Sequence, residues 1–235
     1  MGTRGIYGFR KNGQDKITYN HYDSYPEELG ENIINFCRET SIQEMMEIFD
    51  RIVLVDNEKK PTKKQIKECQ KKRWTHVDIT YETEAHINCI DWYTLLRETQ
   101  GNLNFYKRGL SYMIDDHNFI KDSLFCEYGY IINLDENCLE FWMGFQNKPQ
   151  KGNRYGTKKY SEYDTPYYPC KLMKKFSLTR LSENTLDKMI SIKEEEQKDD
   201  SENAENTTPA NPKVRVTRTL KIKETSKKSE FFGVQ

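Results

Sequence analysis

The sequence is poor in apolar residues and has no long hydrophobic run. Alanine, valine, isoleucine, leucine, methionine, phenylalanine, tryptophan, cysteine and glycine together make up 80 of the 235 residues. That share is 34%, against about 45–50% in typical globular chains. No run approaches the 18 consecutive apolar residues of a membrane helix. The first residues also lack the pattern of a signal peptide. We therefore expect a protein without a membrane partner, in the cytoplasm, or in the host cytoplasm if a phage encodes it.

The sequence also lacks cysteines and histidines at the spacing of metal ligands, and it lacks the common catalytic motifs. The six cysteines form no Cys-x-x-Cys pair, and the four histidines do not lie at the spacing of zinc ligands. No glycine-rich phosphate loop, metalloprotease helix or Gly-x-Ser-x-Gly turn is present. These absences argue against P-loop enzymes, kinases and α/β-hydrolases. We expect reduced thiols, no metal and no cofactor.

Charge is abundant and balanced overall, but it separates along the C-terminal part of the chain. The 37 basic and 37 acidic side chains cancel. Residues 193–205 hold seven acids and two bases, and residues 213–228 hold seven bases and one acid. Such blocks are typical of solvated, disordered segments. We predict one globular domain over 1–192, followed by a disordered acidic and then basic tail over 193–235.

The end of this tail also allows a second interpretation. Apolar residues in it alternate with basic ones, and Phe231 and Phe232 follow as an aromatic pair. An extended segment of this kind can add a strand to a sheet edge, with the aromatic pair as an anchor. The tail is therefore either a solubilising segment or a binding strand that ends at Phe231 and Phe232.

Turn and capping signals predict an α+β fold with a mainly antiparallel sheet. Asn12-Gly13 indicates an N-terminal hairpin, and the aromatic-rich stretch 125–145 indicates a second one in the centre of the chain. Two hairpins separated by helical segments favour antiparallel pairing. Helices are expected from Pro26, Ser41, Thr62, Asp91 and Ser182, a further helix over 103–114, and a last strand over 171–178.

One of these helices lies in a strongly basic segment. Residues 59–73 contain eight lysine or arginine residues and one glutamate. A basic helix of this kind either binds nucleic acid or lies solvated on the surface. No aromatic residue accompanies the charges, which favours the solvated helix.

The densest polar cluster lies between the second strand and the first helix. It runs from Tyr19 to Tyr25, and it includes His21 as a candidate base and Asp23 as a candidate orienting acid. Junctions of this type present main-chain N–H groups to ligands. In the alternative interpretation the polar residues form a turn and a helix cap. The candidate binding residues, here and elsewhere in the chain, are Arg4, Asn20, Tyr22, Ser24, Tyr25, Arg97 and Gln100.

Four segments resemble a family of uncharacterised proteins from bacteria, phages and fungi. The segments are MGTRG (1–5), DSYP (23–26), DWYTLLRETQG (91–101) and DSLFCEYGYIINLD (122–135). The resemblance covers about residues 1–150. The resemblance implies a boundary near residue 150 and a kinship with these bacterial, phage and fungal proteins, but it implies no activity.

The start of the chain also resembles N-terminal-nucleophile amide hydrolases in architecture. The resemblance implies that Thr3 would attack with its own amine as the base, assisted by His21 and Asp23. Thr3 is preceded by two residues, which departs from that pattern.

The sequence therefore leaves three functions open. The first is a small intracellular accessory or regulatory protein of phage or bacterial type that binds an unknown protein partner, because tyrosine and arginine supply many interface anchors. The second is the amide hydrolase built on Thr3, and the third is nucleic-acid binding through 59–73.

Overall fold

The computed structural model describes residues 2–77, 90–160 and 166–206. The regular elements in these residues are β1 (Gly5–Lys11), β2 (Gln14–Asn20), α1 (Glu31–Glu39), α2 (Ile42–Arg51), β3 (Val53–Val55), α3 (Lys63–Lys71), α4 (Trp92–Leu96), α5 (Asn104–Lys107), β4 (Tyr112–Ile114), β5 (Tyr128–Asn133), β6 (Cys138–Met143), β7 (Lys171–Ser177) and α6 (Asn184–Asn206). A π-helical turn, Pro26–Gly30, leads into α1, and 3₁₀ turns cover Arg97–Thr99, Phe119–Lys121 and Leu178–Arg180. The chain divides into two units, residues 1–198 and 199–235. Every site described below belongs to the first unit.

Five strands form one mixed sheet in the order β2-β1-β5-β6-β7. Three of its four pairings are antiparallel, and β1 and β5 pair in parallel, with Gly5 opposite Tyr128. The predicted α+β class with a mainly antiparallel sheet is therefore confirmed. The parallel contact that joins the two hairpins was not predicted. A second, two-stranded parallel sheet consists of β3 and β4.

The two hairpin turns meet at one end of the sheet. Asn12 and Gly13 both have positive φ, as a type I′ turn requires. Asp135, in the turn of the second hairpin, accepts the main-chain N–H groups of Asn12 at 2.6 Å and Gly13 at 2.9 Å. These two hydrogen bonds fix the register between the hairpins at their turns.

The sheet is covered on both faces. Tyr7 and Phe9 point from β1 into the larger core, where α1 and α2 pack, and the rings of Phe9 and Phe36 lie edge to face at 6.1 Å. Ile6 and Trp142 belong to a smaller apolar cluster on the opposite face. Adjacent residues of β1 therefore serve different cores, as the alternation of a strand requires.

The prediction of a helix over 103–114 is wrong beyond Lys107. Gly109 adopts a φ of +102°, which a helix cannot continue, and the chain then enters β4 instead. The apolar residues of that stretch are still buried, because Met113 and Ile114 pack from a strand.

The last helix runs through the predicted domain boundary at 192/193. It continues to Asn206, so the acidic part of the predicted tail has a helical backbone up to that residue. The basic part of the tail, with Phe231 and Phe232, lies outside the described residues.

Candidate functional site

A cavity of about 180 Å³ lies beside the β1–β2 hairpin. Its volume equals roughly six waters of the bulk liquid, and cavities of about 150 Å³ are known to hold benzene. Its lining is mostly tyrosine and polar side chains, namely Tyr7, Thr18, Tyr19, Asn57, Tyr93, Leu96, Thr99, Gln100, Tyr106, Ile114 and Asp116. The space therefore suits a ligand, or the end of a ligand, of a few heavy atoms.

Strand register and one tight turn bring the lining together. Tyr7 and Thr18 are direct cross-strand partners, so their side chains lie on the same face of the hairpin. Asp116 follows β4, and its main-chain N–H donates to the carbonyl of Ile17 at 3.2 Å. This bond attaches the turn after β4 to the outer edge of β2. Residues about 100 positions apart in sequence therefore share one wall.

Asp116 is the only described lining residue with a formal charge. Its Oδ2 accepts hydrogen bonds from the Thr18 hydroxyl at 3.1 Å and from the main-chain N–H of Tyr19 at 2.8 Å. Its Oδ1 accepts none from the described residues. Burial raises the pKa of Asp116, and the two hydrogen bonds offset part of that rise. The carboxylate is thus held at one oxygen and available at the other.

Two buried phenols line the same cavity. Tyr7 is 1% exposed, and its hydroxyl donates to the Thr99 carbonyl at a long 3.4 Å. Tyr106 is 2% exposed as a whole residue, and its hydroxyl opens into the cavity and makes no hydrogen bond with the described residues. Burial raises the pKa of both phenols, and the nearby charge of Asp116 raises it further. Both are therefore neutral near pH 7. A hydroxyl that opens into the cavity without a protein partner is free to bond to whatever occupies the cavity.

An acidic groove of about 510 Å³ adjoins the cavity, because Asn57 and Asp116 line both. Its described lining carries one arginine, Arg4, and the acidic side chains of Asp56, Glu58, Asp115, Asp116 and Asp122. The Arg4 guanidinium lies 4.7 Å from the ring centre of Phe125. A cleft dominated by one sign of charge concentrates counter-ions, so this groove favours cations.

Several residues predicted from the sequence line a second groove, of about 520 Å³. They are Asn20, Tyr22, Asp23, Arg97 and Gln100, and Gln100 also lines the cavity. The Arg97 guanidinium donates to the Tyr22 hydroxyl at 2.6 Å and lies against its ring. The structure thus brings five of the predicted residues into one place.

The three candidate catalytic residues are not joined to one another. His21 Nδ1 shares a 2.8 Å hydrogen bond with the hydroxyl of Tyr19. Asp23 has a φ of +48°, and its carbonyl accepts the Leu29 N–H. Thr3 is buried, and its carbonyl accepts a main-chain hydrogen bond at 3.1 Å. Among the hydrogen bonds of the described residues, none links Thr3, His21 and Asp23.

Asn20 and Ser24 organise the turn between β2 and the π-helical turn. The Asn20 amide donates to the Ser24 hydroxyl at 2.9 Å and to the Tyr22 carbonyl. Tyr130 donates to the Ser24 carbonyl at 3.1 Å. Tyr25 next to it is 40% exposed. These contacts correspond to the turn that the sequence offered as an alternative to a binding site.

Sequence reasoning did not select Tyr7, Tyr106 or Asp116 as functional residues. The apolar face of the first strand places Tyr7 in the core, and the same reasoning applies to Tyr106. Asp116 follows a strand that was predicted as a helix, so its position against β2 could not be inferred. A buried strand followed by the doublet Asp115-Asp116 is the signal that points to it in retrospect.

The described residues contain neither a membrane-spanning helix nor a cluster of potential metal ligands. None of the helices in 2–77, 90–160 and 166–206 combines the length and apolar character needed to cross a membrane. Within the same ranges, histidine, cysteine and acidic side chains form no group of three or more that could hold a metal ion. Comparison of the chain with protein-family models, with curated proteins and with solved structures gives no match.

Proposed function

We propose that this protein is a binding protein that recognises a primary ammonium group in the cavity formed by Tyr7, Tyr106 and Asp116. One observation carries the proposal. The Tyr106 hydroxyl opens into the cavity without a hydrogen-bond partner among the described residues, and it shares the cavity with a carboxylate that is bonded at only one oxygen. Both groups gain a partner when an N–H donor occupies the cavity.

The chemistry of an ammonium group matches this lining. An R–NH₃⁺ group has three N–H donors and one positive charge. Asp116, Tyr106 and Gln100 line the cavity, and each of these side chains has an oxygen that can accept such a donor. The described lining carries one negative charge and no positive one. A cation would offset the cost of keeping the Asp116 carboxylate ionised in a buried place.

The acidic groove supports the view that the ammonium group belongs to a lysine side chain of a protein partner. A lysine side chain is long enough to reach through a groove while its backbone stays outside. The groove also favours basic neighbours of that lysine, because acidic side chains dominate its described lining. This agrees with the accessory, partner-binding role predicted from the sequence. A free small amine has the same chemistry, so the experiment must separate the two sources.

The hydrolase alternative has less support from the geometry. An N-terminal nucleophile needs its own α-amine beside its hydroxyl. Thr3 follows Gly2 in the chain and is not among the described residues that line the cavity. His21 is bonded to Tyr19 rather than to Thr3 or Asp23.

A pair of probes of equal size tests the proposal. We expect n-butylammonium to bind, by calorimetry and by a rise in Tm, and butan-1-ol, which has the same number of heavy atoms, to bind at least tenfold more weakly. Asp116→Asn should weaken butylammonium binding by roughly 10–100-fold, because a hydrogen bond to a charged group contributes about 1.5–3 kcal/mol. Tyr106→Phe should weaken it by roughly tenfold.

Asp115→Asn is the matched control. It makes the same change one residue away, where the carboxylate lines the groove but not the cavity and pairs with His117 at 2.7 Å. Equal binding of butan-1-ol, or equal affinity in the Asp116→Asn and Asp115→Asn variants, would refute the proposal. Nα-acetyl-lysinamide should bind like butylammonium if the source is a lysine, and its Nε-acetylated form should not. If butylammonium binds and Nα-acetyl-lysinamide does not, the cavity is a site for small amines.

A further inference from the structure

The helix α3 is fixed to the body of the protein by one side. Thr62 caps it, since the Thr62 hydroxyl accepts the Gln65 N–H and the Gln65 side chain accepts the Thr62 N–H. Ile66 and Cys69 are buried, at 1% and 0% exposure. The helix is therefore anchored in a defined orientation, and its basic side is held in place by the core rather than free to turn.

The opposite side of α3 is basic. Lys64, Lys67 and Lys71 follow one another at helical spacing and are exposed, and Lys72 and Arg73 continue the exposed surface just beyond the helix. Among the described residues, no acidic side chain forms an ion pair with any of these five. We call these five residues the α3 basic surface.

The one acid of the segment does not neutralise this surface. The Glu68 carboxylate accepts a 2.8 Å hydrogen bond from the Tyr112 hydroxyl, in β4. Glu68 is half-buried, and burial together with Glu68 raises the pKa of Tyr112 to about 12. The charge of Glu68 is thus directed toward the body, and the α3 basic surface keeps its full positive charge.

We infer that the α3 basic surface binds the phosphate backbone of a double-stranded nucleic acid, without preference for base sequence. From Lys64 to Lys71 the helix rise of 1.5 Å per residue gives about 10 Å. One strand of a duplex presents a phosphate charge about every 3.4 Å along its axis, so this length faces about three phosphates. Lysine is a good phosphate ligand as a point charge, and it carries no base specificity in such contacts.

The composition of the surface favours a duplex over other polyanions. Interfaces between proteins are depleted in lysine and enriched in aromatic residues, and residues 59–73 contain no aromatic residue. A helix that lies on a membrane inserts an apolar face, but the apolar residues of α3 are already buried in the core. Single-stranded nucleic acid needs aromatic platforms for stacking, which this segment also lacks.

Fluorescence anisotropy with a labelled 20-base-pair DNA duplex tests the inference on the full chain. The variant Lys64→Gln/Lys67→Gln/Lys71→Gln removes three charges of the surface. The control Lys148→Gln/Lys151→Gln/Lys158→Gln removes three exposed lysines elsewhere. Each lost phosphate contact should make the slope of log affinity against log salt less steep by about 0.9. Between 50 and 200 mM salt, the slope of the α3 variant, which loses three contacts, should therefore be less steep by about 2.7. Residues 213–228 are present in both variants, so the difference between them isolates α3.

Two outcomes would overturn the inference. One is an equal loss of duplex binding in the two triple variants. The other is unchanged duplex binding in the α3 variant together with lost binding to vesicles that contain phosphatidylserine, which would assign the surface to membranes. Lys64→Arg/Lys67→Arg/Lys71→Arg should retain duplex binding, since it keeps the charge. An unchanged Tm of the glutamine variant shows that the effect is not unfolding.

Discussion

The Glu140 carboxylate and the Arg154 guanidinium form a two-point ion pair, at 2.7 Å and 2.6 Å, in which the carboxylate is completely buried. Asn133 and Trp142 donate the other hydrogen bonds to Glu140, at 2.8 Å and 3.0 Å. The guanidinium lies against the rings of Trp142 and Tyr155. Burial raises the pKa of Glu140, but the hydrogen bonds and charge of Arg154 outweigh it, so the pKa lies below its ordinary value. The pair joins the loop after β6 to the centre of the sheet.

Replacing Arg154 should therefore destabilise the fold strongly. In Arg154→Ala the Glu140 carboxylate stays buried without its cation, and we expect the free energy of unfolding to fall by about 3–5 kcal/mol. Lys151→Ala, three residues away and exposed, should change it by less than about 0.5 kcal/mol. Urea denaturation measures both. A loss below about 1 kcal/mol in Arg154→Ala would show that the pair contributes little.

The same pair predicts a dependence of stability on pH. Because the pKa of Glu140 is lower in the folded protein than the unfolded value of about 4.3, its contribution is complete above that pH. It is lost as the pH falls through the folded pKa. Glu140→Gln should lack this part of the acid dependence in urea titrations between pH 6 and pH 2. If the free energy of unfolding falls equally with pH in Glu140→Gln and in the unmodified protein, the prediction is wrong.

Asp116 should show the opposite behaviour. Its pKa is raised in the folded protein, so the ionised carboxylate costs stability above the unfolded value of about 3.9, and the cost disappears below it. The Oδ1 of an asparagine can accept the same bonds from Thr18 and Tyr19. We expect Asp116→Asn to be more stable than the unmodified protein at pH 7, and the difference to vanish near pH 3. A destabilised Asp116→Asn at pH 7 would mean that the charge itself supports the fold.

Gly8 should tolerate no side chain. Its φ is +148°, and a Cβ there would lie 2.2 Å from the carbonyl oxygen of Lys16 in the neighbouring strand. The Lys16 carbonyl belongs to the backbone of β2, and it cannot move away without separating β1 from β2, so Gly8→Ala should cost about 3 kcal/mol. Gly109→Ala also has a positive φ but meets nothing within 4 Å, so it should cost about 1 kcal/mol. If thermal unfolding gives the same loss of stability for Gly8→Ala and Gly109→Ala, the positive φ and not the contact with Lys16 determines the loss in both variants.

Local signals predicted much of the secondary structure. The Asn12-Gly13 turn, the Thr62 capping box and the Asp91 cap each depend on residues within three positions of one another, and each is present. Such motifs can be read from the sequence because the interacting atoms are neighbours in the chain.

The candidate site could not be predicted in the same way. Its position depends on the pairing of β3 with β4 and on the bond between Asp116 and Ile17, about 100 residues apart. Apolar periodicity over 103–114 fits a helix as well as a short strand followed by a turn, and only tertiary packing decides between them. The residues that the sequence did select, such as Asn20 and Arg97, lie in the groove next to the cavity, since both sites share Gln100.

The parallel contact between β1 and β5 has a consequence for the order of events during protein synthesis. About 120 residues separate Gly5 from its partner Tyr128. At about 5–20 residues per second, a ribosome completes β5 roughly 6–24 s after β1. Throughout that interval the first hairpin has the inner edge of β1 unpaired, and an unpaired edge is a template for wrong pairing with other chains. A nascent chain that stalls before residue 133 therefore exposes this edge, and chaperone capture of stalled chains should end once β5 has emerged.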